Sequence, residues 1–532
     1  MKFNYENRKD SHEKIKKSKY DIGLMKKNTV EHPIWLHFGA GNIFRGYIAR
    51  LQDELLNQGL TNQGIIAAET FDEEIIDKIY KPHDNLVLLA TLYANKEPEF
   101  REIASIAEGL KASNMTRLEQ IITNPSLQMI SFTITEKGYN LYDLNGNYLD
   151  IVMKDIDTGP EKSKHAMSIA TALLFKRFLK GAMPLAVVSM DNCSHNGEKL
   201  KNSVRTIAKE WHMKNYVCEE FIGYLEDETR IAFPWSMIDK ITPRPAEEIA
   251  QHLHTLGFED MSPITTSKKT YIAPFVNAEE CEYLVIEDKF PNGRPPLEKA
   301  GVYFTNREIV NQVETMKVTT CLNPLHTALA VFGCLLGYTS IAEEMRNPFL
   351  KKLVEGIGEE GMRVVVDPKI IDPKQFLEEV LTKRLPNPSI PDTPQRIATD
   401  TSQKIPVRYG ETIKSYLKHP ELSLDQLKYI PLAIAGWCRY LLGKDDSFEN
   451  FQRSSDPMLE DLTHILKEVI RTMEYHGELK VILSNEKIFG LDLSNTSLFP
   501  IIENYFILML SKGSVLKVLE QSLSDTSSSL LK

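Results

Sequence analysis

The densest run of reactive side chains is Val313-Glu314-Thr315-Met316-Lys317-Val318-Thr319-Thr320-Cys321-Leu322-Asn323-Pro324-Leu325-His326. Asparagine followed by proline signals a helix start, so Asn323 is expected as N-cap and Pro324 as the first helical residue. His326 then falls in the first turn, where the helix dipole disfavours an added proton. A lysine just upstream of an apolar helix is placed for a depressed pKa, which a base needs to take a proton from an alcohol. The plain alternative is a capped core helix with a surface lysine.

A second pattern is Gly39-Ala40-Gly41-Asn42-Ile43-Phe44-Arg45-Gly46, with an apolar run before it and Tyr47, Ile48, Leu51, Leu55 and Leu56 at helical spacing after it. A strand, a glycine turn and a helix in this order present backbone N–H groups to a dinucleotide pyrophosphate. Gly39 permits the tight turn and Gly41 a close approach to the backbone. The third fingerprint position is Phe44 rather than glycine. The cofactor contacts are expected at Gly39, Gly41, Asn42, Ile43, Phe44 and Arg45. The next strand ends at Glu69, placed to accept hydrogen bonds from the adenosine ribose, with Asp72 as second candidate. An acidic group there repels a 2′-phosphate, so NAD is expected over NADP.

Positioning these groups calls for an α/β frame. Apolar β-rich runs at 64–68, 86–92, 129–135 and 185–190 alternate with helical stretches, which predicts a Rossmann-like parallel sheet. After about residue 300 helical patterns dominate, at 324–336, 374–385, 424–442, 458–475 and 498–510, with a proline-rich loop at 385–394. The expected organisation is an N-terminal arm (1–30), a dinucleotide-binding domain (31–295) and a mainly α-helical substrate-binding domain (296–532). The serine-rich end, 522–529, is expected to fray.

The chain has 532 residues, 42% of them hydrophobic and 26% charged, with a formal net charge of −10. That composition is globular and carries no electrostatic footprint for nucleic acid. The lysine-rich first thirty residues lack the apolar core of a signal peptide. The uncharged run 318–342 has a membrane-span length, but Asn323, Pro324 and His326 within it favour a buried helix. Six cysteines without a CxxC suit reduced thiols in a cytoplasmic compartment. The pair His252 and His254 lacks the ligands that would complete a metal site. The expectation is a metal-free cytoplasmic protein with a small-molecule partner, no membrane or nucleic-acid partner, and a monomeric or small homo-oligomeric state.

Several ordered motifs resemble the long-chain polyol dehydrogenase (mannitol dehydrogenase) family. They are residues 39–46, Thr135-Glu136-Lys137-Gly138-Tyr139, Met190-Asp191-Asn192-Cys193-Ser194-His195-Asn196-Gly197, the run 233–243, Ile286-Glu287-Asp288, the Lys317 to His326 segment, and the run 396–406. Each is weak alone, and their order makes the match.

The resemblance implies a metal-independent, NAD-dependent secondary-alcohol dehydrogenase. Lys317 matches the family's general acid/base, and Asn192 and Asn323 its alkoxide-stabilising amides. His326 matches a substrate-orienting residue, Glu136 and Glu314 carboxylates of proton exchange, and Asp239 a residue near the nicotinamide. Arg396 and Lys404 match substrate-binding cations, expected to come from a loop. One departure stands out: Lys317 and Asn323 are one residue further apart than in the family pattern, and its arginine is replaced by Thr319 or Thr320. This variant is most similar to the fructuronate reductase branch, whose role in hexuronate metabolism is to interconvert D-mannonate and D-fructuronate. Alternatives are the mannitol 2-dehydrogenase and tagaturonate reductase branches and, in another class, a sugar-acid isomerase or epimerase that retains NAD.

Overall fold

Six short apolar runs pair as one parallel sheet: β1 (Trp35–Phe38), β2 (Ile65–Glu69), β3 (Ile106–Lys111), β4 (Met129–Phe132), β5 (Leu185–Ser189) and β6 (Ile231–Ala232). Their spatial order is β3-β2-β1-β4-β5-β6. Strands buried on both faces need apolar residues on both, which is why the inner strands β1, β2, β4 and β5 are largely apolar, while the edge strand β3 carries Glu108 and Lys111. Leu36 and Phe38 of β1 pack into one core with Leu118, Leu173 and Val204, while Trp35 joins Phe44, Ile48 and Leu51 on the other face. The winding direction reverses between β1 and β4, so the loops leaving these two strands flank the crevice where such sheets take ligands.

The computed structural model describes residues 1–10 and 12–524. The chain divides into two compact units, Met1–Asn311 and Gln312–Lys532. The division falls later than the expected 295, because Tyr303–Thr305 pairs with Tyr283–Glu287 and so belongs to the first unit. Residues 1–30, expected as a solvated helix or a loose arm, form a helix in part and belong to the first unit. Ile15–Lys16 pairs with Phe100 and Arg101, Ile22–Glu31 is a helix, and Phe3 is buried. Burial of Phe3, Ile15, Ile22 and Met25 holds this segment in the first unit despite its many lysines. Val87–Leu92 is a strand as expected but lies outside the parallel sheet. It pairs antiparallel with Glu99–Ile103 and parallel with Phe275–Glu279.

The named elements of the second unit are all helices among the described residues. Its central helix, Asn323–Leu336, is buried from Pro324 to Leu335, which accounts for the uncharged run. Three neighbouring helices open on a capping side chain followed by proline: Asn347-Pro348, Asp372-Pro373 and Thr393-Pro394. The expected helix 374–385 is Pro373–Glu379 followed by a π-turn, and 458–475 breaks into Leu459–Ile465 and Lys467–Thr472. At the serine-rich end, Ser514–Leu523 is a helix with Ser522 buried, and 525–532 lie outside the described residues.

Candidate active site

β1 runs into Gly39, whose φ is +102° and where a Cβ would stand 2.2 Å from the Thr133 carbonyl oxygen. No other residue fits there. Gly41 has the opposite surroundings, with nothing within 4 Å of the place a Cβ would take. That leaves room for a ligand against the backbone at a helix start, where N–H groups lack carbonyl partners.

The turn is held by its neighbours. Glu69 Oε2 accepts the Ala40 N–H (2.7 Å), and its Oε1 accepts the N–H groups of Phe71 (2.8 Å) and Asp72 (3.1 Å). The Tyr80 hydroxyl donates to the Ala40 carbonyl (2.9 Å). Asp72 is buried and accepts from Thr266 Oγ1 at 2.5 Å. Glu69 thus sits against the turn, while Asp72 serves a contact with residue 266.

The helix after the turn passes through a π-turn, Phe44–Ile48, into Ala49–Asn57. Phe44 stacks on the His37 ring, centroids 4.3 Å apart, where a third glycine would otherwise allow close helix–strand packing. Burial pushes the His37 pKa down to about 3, so the ring is neutral between Ser131 and Thr133. Arg45 is fully buried and donates to the Ala273 carbonyl and Asn42 Oδ1, both at 2.8 Å, with burial lowering its pKa to about 10. The side chains of Asn42, Phe44 and Arg45 therefore shape the turn, the backbone of Gly39 and Ala40 is held inside the protein, and residues 41–43 are partly exposed. The open Gly41 and the unpartnered helix start fit a dinucleotide pyrophosphate.

The loops after β4 and β5 form one frame. The Asp191 carboxylate accepts the N–H groups of Ile134 and Thr135, both at 2.9 Å, and the Tyr139 hydroxyl at 2.6 Å. This holds Thr135 at φ +64°, an uncommon state for a β-branched residue. Burial raises the Asp191 pKa against these hydrogen bonds. Asn196 Nδ2 donates to the Asp191 carbonyl (3.0 Å) and to Ser236 Oγ (2.9 Å), tying in the strand Ser236–Asp239. Asn192 projects from this frame and is exposed, Asp239 is buried, and Glu136 is exposed and paired with Lys199.

In the second unit, Glu314 and Lys317 lie three residues apart on one helical face, with Lys317 only 4% exposed. Lys317–Cys321 is a π-turn in which the Leu322 N–H reaches back to the Lys317 carbonyl (3.1 Å). A π-turn holds one more residue than an α-turn, so it takes up the additional residue between Lys317 and Asn323. It also changes the expected cap. Leu322 takes the cap position and Asn323 is already helical, with no side-chain capping bond. Asparagine-proline signals a cap only where the preceding chain is not helical. Here it is.

His326 follows in the first turn, its Nε2 standing 3.4 Å from Asp392 Oδ2 without hydrogen-bond geometry. Burial lowers the imidazole pKa, and Asp392 opposes it. The direction is the one expected, but burial rather than the helix dipole is the main cause. Arg396 is 62% exposed and paired with the same Asp392. Lys404 is half-buried and donates to the carbonyls of Ile397 and Thr399. Both cations stand on helices, Pro394–Ile397 and Thr401–Ile405, and not on a loop, because Thr393 and the left-handed Asp400 each start a new helix. Among the described residues, no group of three His, Cys, Asp or Glu side chains gathers as metal ligands.

Residues 33–299 match the mannitol dehydrogenase Rossmann domain and residues 310–504 the mannitol dehydrogenase C-terminal domain. The chain belongs to the mannitol dehydrogenase family. It is 52% identical over 513 residues to the D-mannonate oxidoreductase of Thermotoga maritima, a match covering 94% of each chain. It is 31% identical over 441 residues to a mannitol 2-dehydrogenase of Neosartorya fischeri, covering 80% of this chain and 82% of the relative. Its structure is similar to Pseudomonas fluorescens mannitol 2-dehydrogenase in ternary complex with NAD and D-mannitol (TM-score 0.70, 25% identity, 98% of this chain and 99% of that one). As a member of the mannitol dehydrogenase family the chain is an oxidoreductase with the NAD-dependent dehydrogenase fold.

Reading the sequence for this family's motifs passes over three residues around its expected site: Asp392, Thr327 and Arg408. Asp392 is one of several polar residues in the proline-rich loop and carries no pattern. Arg408 carries a faint one, four residues after Lys404 and so one helical turn away.

Proposed function

We propose that this dehydrogenase uses NAD to interconvert D-mannonate and D-fructuronate, oxidising a secondary hydroxyl of the hexonate to the keto acid. The observation that carries this reading is the 52% identity to a D-mannonate oxidoreductase across 94% of both chains. The cluster of cationic side chains around His326 supports it, since a hexonate has a carboxylate that needs a positive partner where water is excluded.

NAD supplies the hydride acceptor. The backbone of residues 41–43 would hold its pyrophosphate, and Glu69 beside the turn disfavours a 2′-phosphate. Lys317 takes the hydroxyl proton in oxidation and returns it in reduction. Asn192 and Asn323 donate hydrogen bonds to the oxygen as charge develops on it, in place of a metal ion. His326, neutral through burial, orients the substrate hydroxyls, and Arg396 and Lys404 bind the distal part of the chain. Glu314, on the same helical face as Lys317, passes its proton to solvent, with Glu136 in the same role. Asp239 lies by the nicotinamide.

The test is a panel of hexonates and hexitols followed by NADH absorbance, with NADP beside NAD. D-mannonate should exceed mannitol in kcat/KM by about a hundredfold, the order of a charge-assisted contact. Equal or better turnover of mannitol would assign the chain to the polyol branch. Conversion of the substrate to an isomer or epimer without net NADH would assign the chain to an isomerase.

A further inference from the structure

Arg408 is a cation that faces no carboxylate among the described residues. It stands on the π-turn Pro406–Gly410, which continues the helix Thr401–Ile405, one turn beyond Lys404. Its Nη1 donates to Thr327 Oγ1 at 2.5 Å, and this hydroxyl belongs to the residue next to His326. Thr327 Oγ1 in turn donates to the Asn323 carbonyl at 3.0 Å. Arg408 is thereby fixed to the helix that carries Asn323 and His326. Among the described residues it has no carboxylate partner, although burial is deep enough to lower its pKa to about 10. The charges of Arg408 and Arg396 also fall on His326, and those of both arginines on Lys404.

Of these groups, Arg396 and His326 face Asp392, while Asp400 and Asp456 lie near Lys404. Arg408 alone faces none of them. The guanidinium is partly buried with a single hydroxyl as its partner, which leaves donors open to an incoming anion. Its planar fork suits a carboxylate, which it can bind through two parallel hydrogen bonds. Arg396, exposed and already paired, is the weaker candidate for that task.

We propose that Arg408, seconded by Lys404, binds the substrate carboxylate and so sets the preference for a sugar acid over a neutral polyol. The proposal rests on the hexonate reading above and names the residue that enforces it. Arg408 then holds the acid end of the substrate at a fixed distance from Asn323 and His326, because Thr327 ties it to their helix. A neutral hexitol has no charged group to pair with Arg408.

The experiment measures kcat and KM on D-mannonate and on mannitol for the wild type, Arg408→Met and Arg408→Lys, with NADH binding and melting temperature recorded for each. Arg408→Met should lower the hexonate-to-hexitol ratio of kcat/KM by about a hundredfold, chiefly through a higher KM for the hexonate. Arg408→Lys keeps the charge but loses the fork, and should lower the ratio by about tenfold. A methionine variant that binds NADH with the ratio within about threefold of wild type overturns the proposal. If that variant does not fold, the lysine variant decides by the same measure. A wild type that turns over mannitol as well as D-mannonate overturns instead the hexonate reading, a result read before any variant is made.

Discussion

The glycine turn of the first unit and the cation cluster of the second are both polar and both partly buried, yet they are built in opposite ways. Around the turn most of the polar side-chain atoms are met within the protein: Glu69 holds three backbone N–H groups, and Arg45 donates to a carbonyl and an amide oxygen, with its Nε alone left without a partner. Only backbone is left open, at Gly41. Around His326 the contrast is with the charges: Asp392 faces His326 and pairs with Arg396, while among the described residues Arg408 has no carboxylate partner. A cofactor common to many enzymes can be met by a rigid backbone surface. A particular substrate is met by side chains whose charges are left unanswered until it arrives.

The largest effect that would sharpen this contrast is at Lys317. Lys317→Ala should lower kcat by at least about a thousandfold while NADH binding, followed by fluorescence, stays near wild type. Turnover within about tenfold of wild type would remove the lysine from the chemistry. Next is Glu69. Because its carboxylate holds the Ala40 N–H, Glu69→Lys should raise the Kd for NAD by about tenfold or more as the turn loosens, and should also narrow the NAD/NADP ratio. An unchanged ratio together with weaker NAD binding would leave Glu69 with the turn alone.

A smaller effect is expected from pH. Burial, then the charge of Arg408, holds the Lys404 pKa below the ordinary lysine range, with Arg396 acting in the same direction and Asp400 and Asp456 opposing. Lysine is charged below its pKa, so its attraction for a carboxylate is complete at neutral pH and is lost as pH rises through the lowered value. The KM for D-mannonate should therefore climb at alkaline pH several-fold more than the KM for mannitol. Parallel KM profiles for the two substrates would take Lys404 out of carboxylate binding. The smallest effect is expected from chelation: activity after prolonged EDTA treatment should stay within about twofold of the untreated enzyme, since amides and a lysine supply the polarisation. A loss restored by zinc would overturn that reading.

Much of the fold is legible in the chain itself. The runs at 35–38, 65–69, 129–132 and 185–189 are apolar because both faces of a parallel sheet are covered, and they read as strands without any partner in view. Gly39 is legible for a local reason too, since only glycine tolerates its backbone angle. The strand Val87–Leu92 reads equally well, but its sheet does not, because pairing partners are chosen by long-range packing that no local pattern records. The lysines of the first thirty residues hide the buried contacts of Phe3 and Ile15 in the same way.

The sequence by itself determined which residue types are present and how they are spaced: the glycine turn, a lysine ahead of Asn-Pro-Leu-His, two cations eight residues apart. Local sterics and helical periodicity act over a few residues, and those are the features they fix. Only the tertiary structure decided how the charges are answered. It gave Asp392 to His326 and Arg396, bent the Lys317 segment through a π-turn that displaces the cap from Asn323, and left Arg408 beside Thr327 without an anion. Electrostatic partners are set by distance in space and by loss of water. Neither is written in the order of residues along the chain.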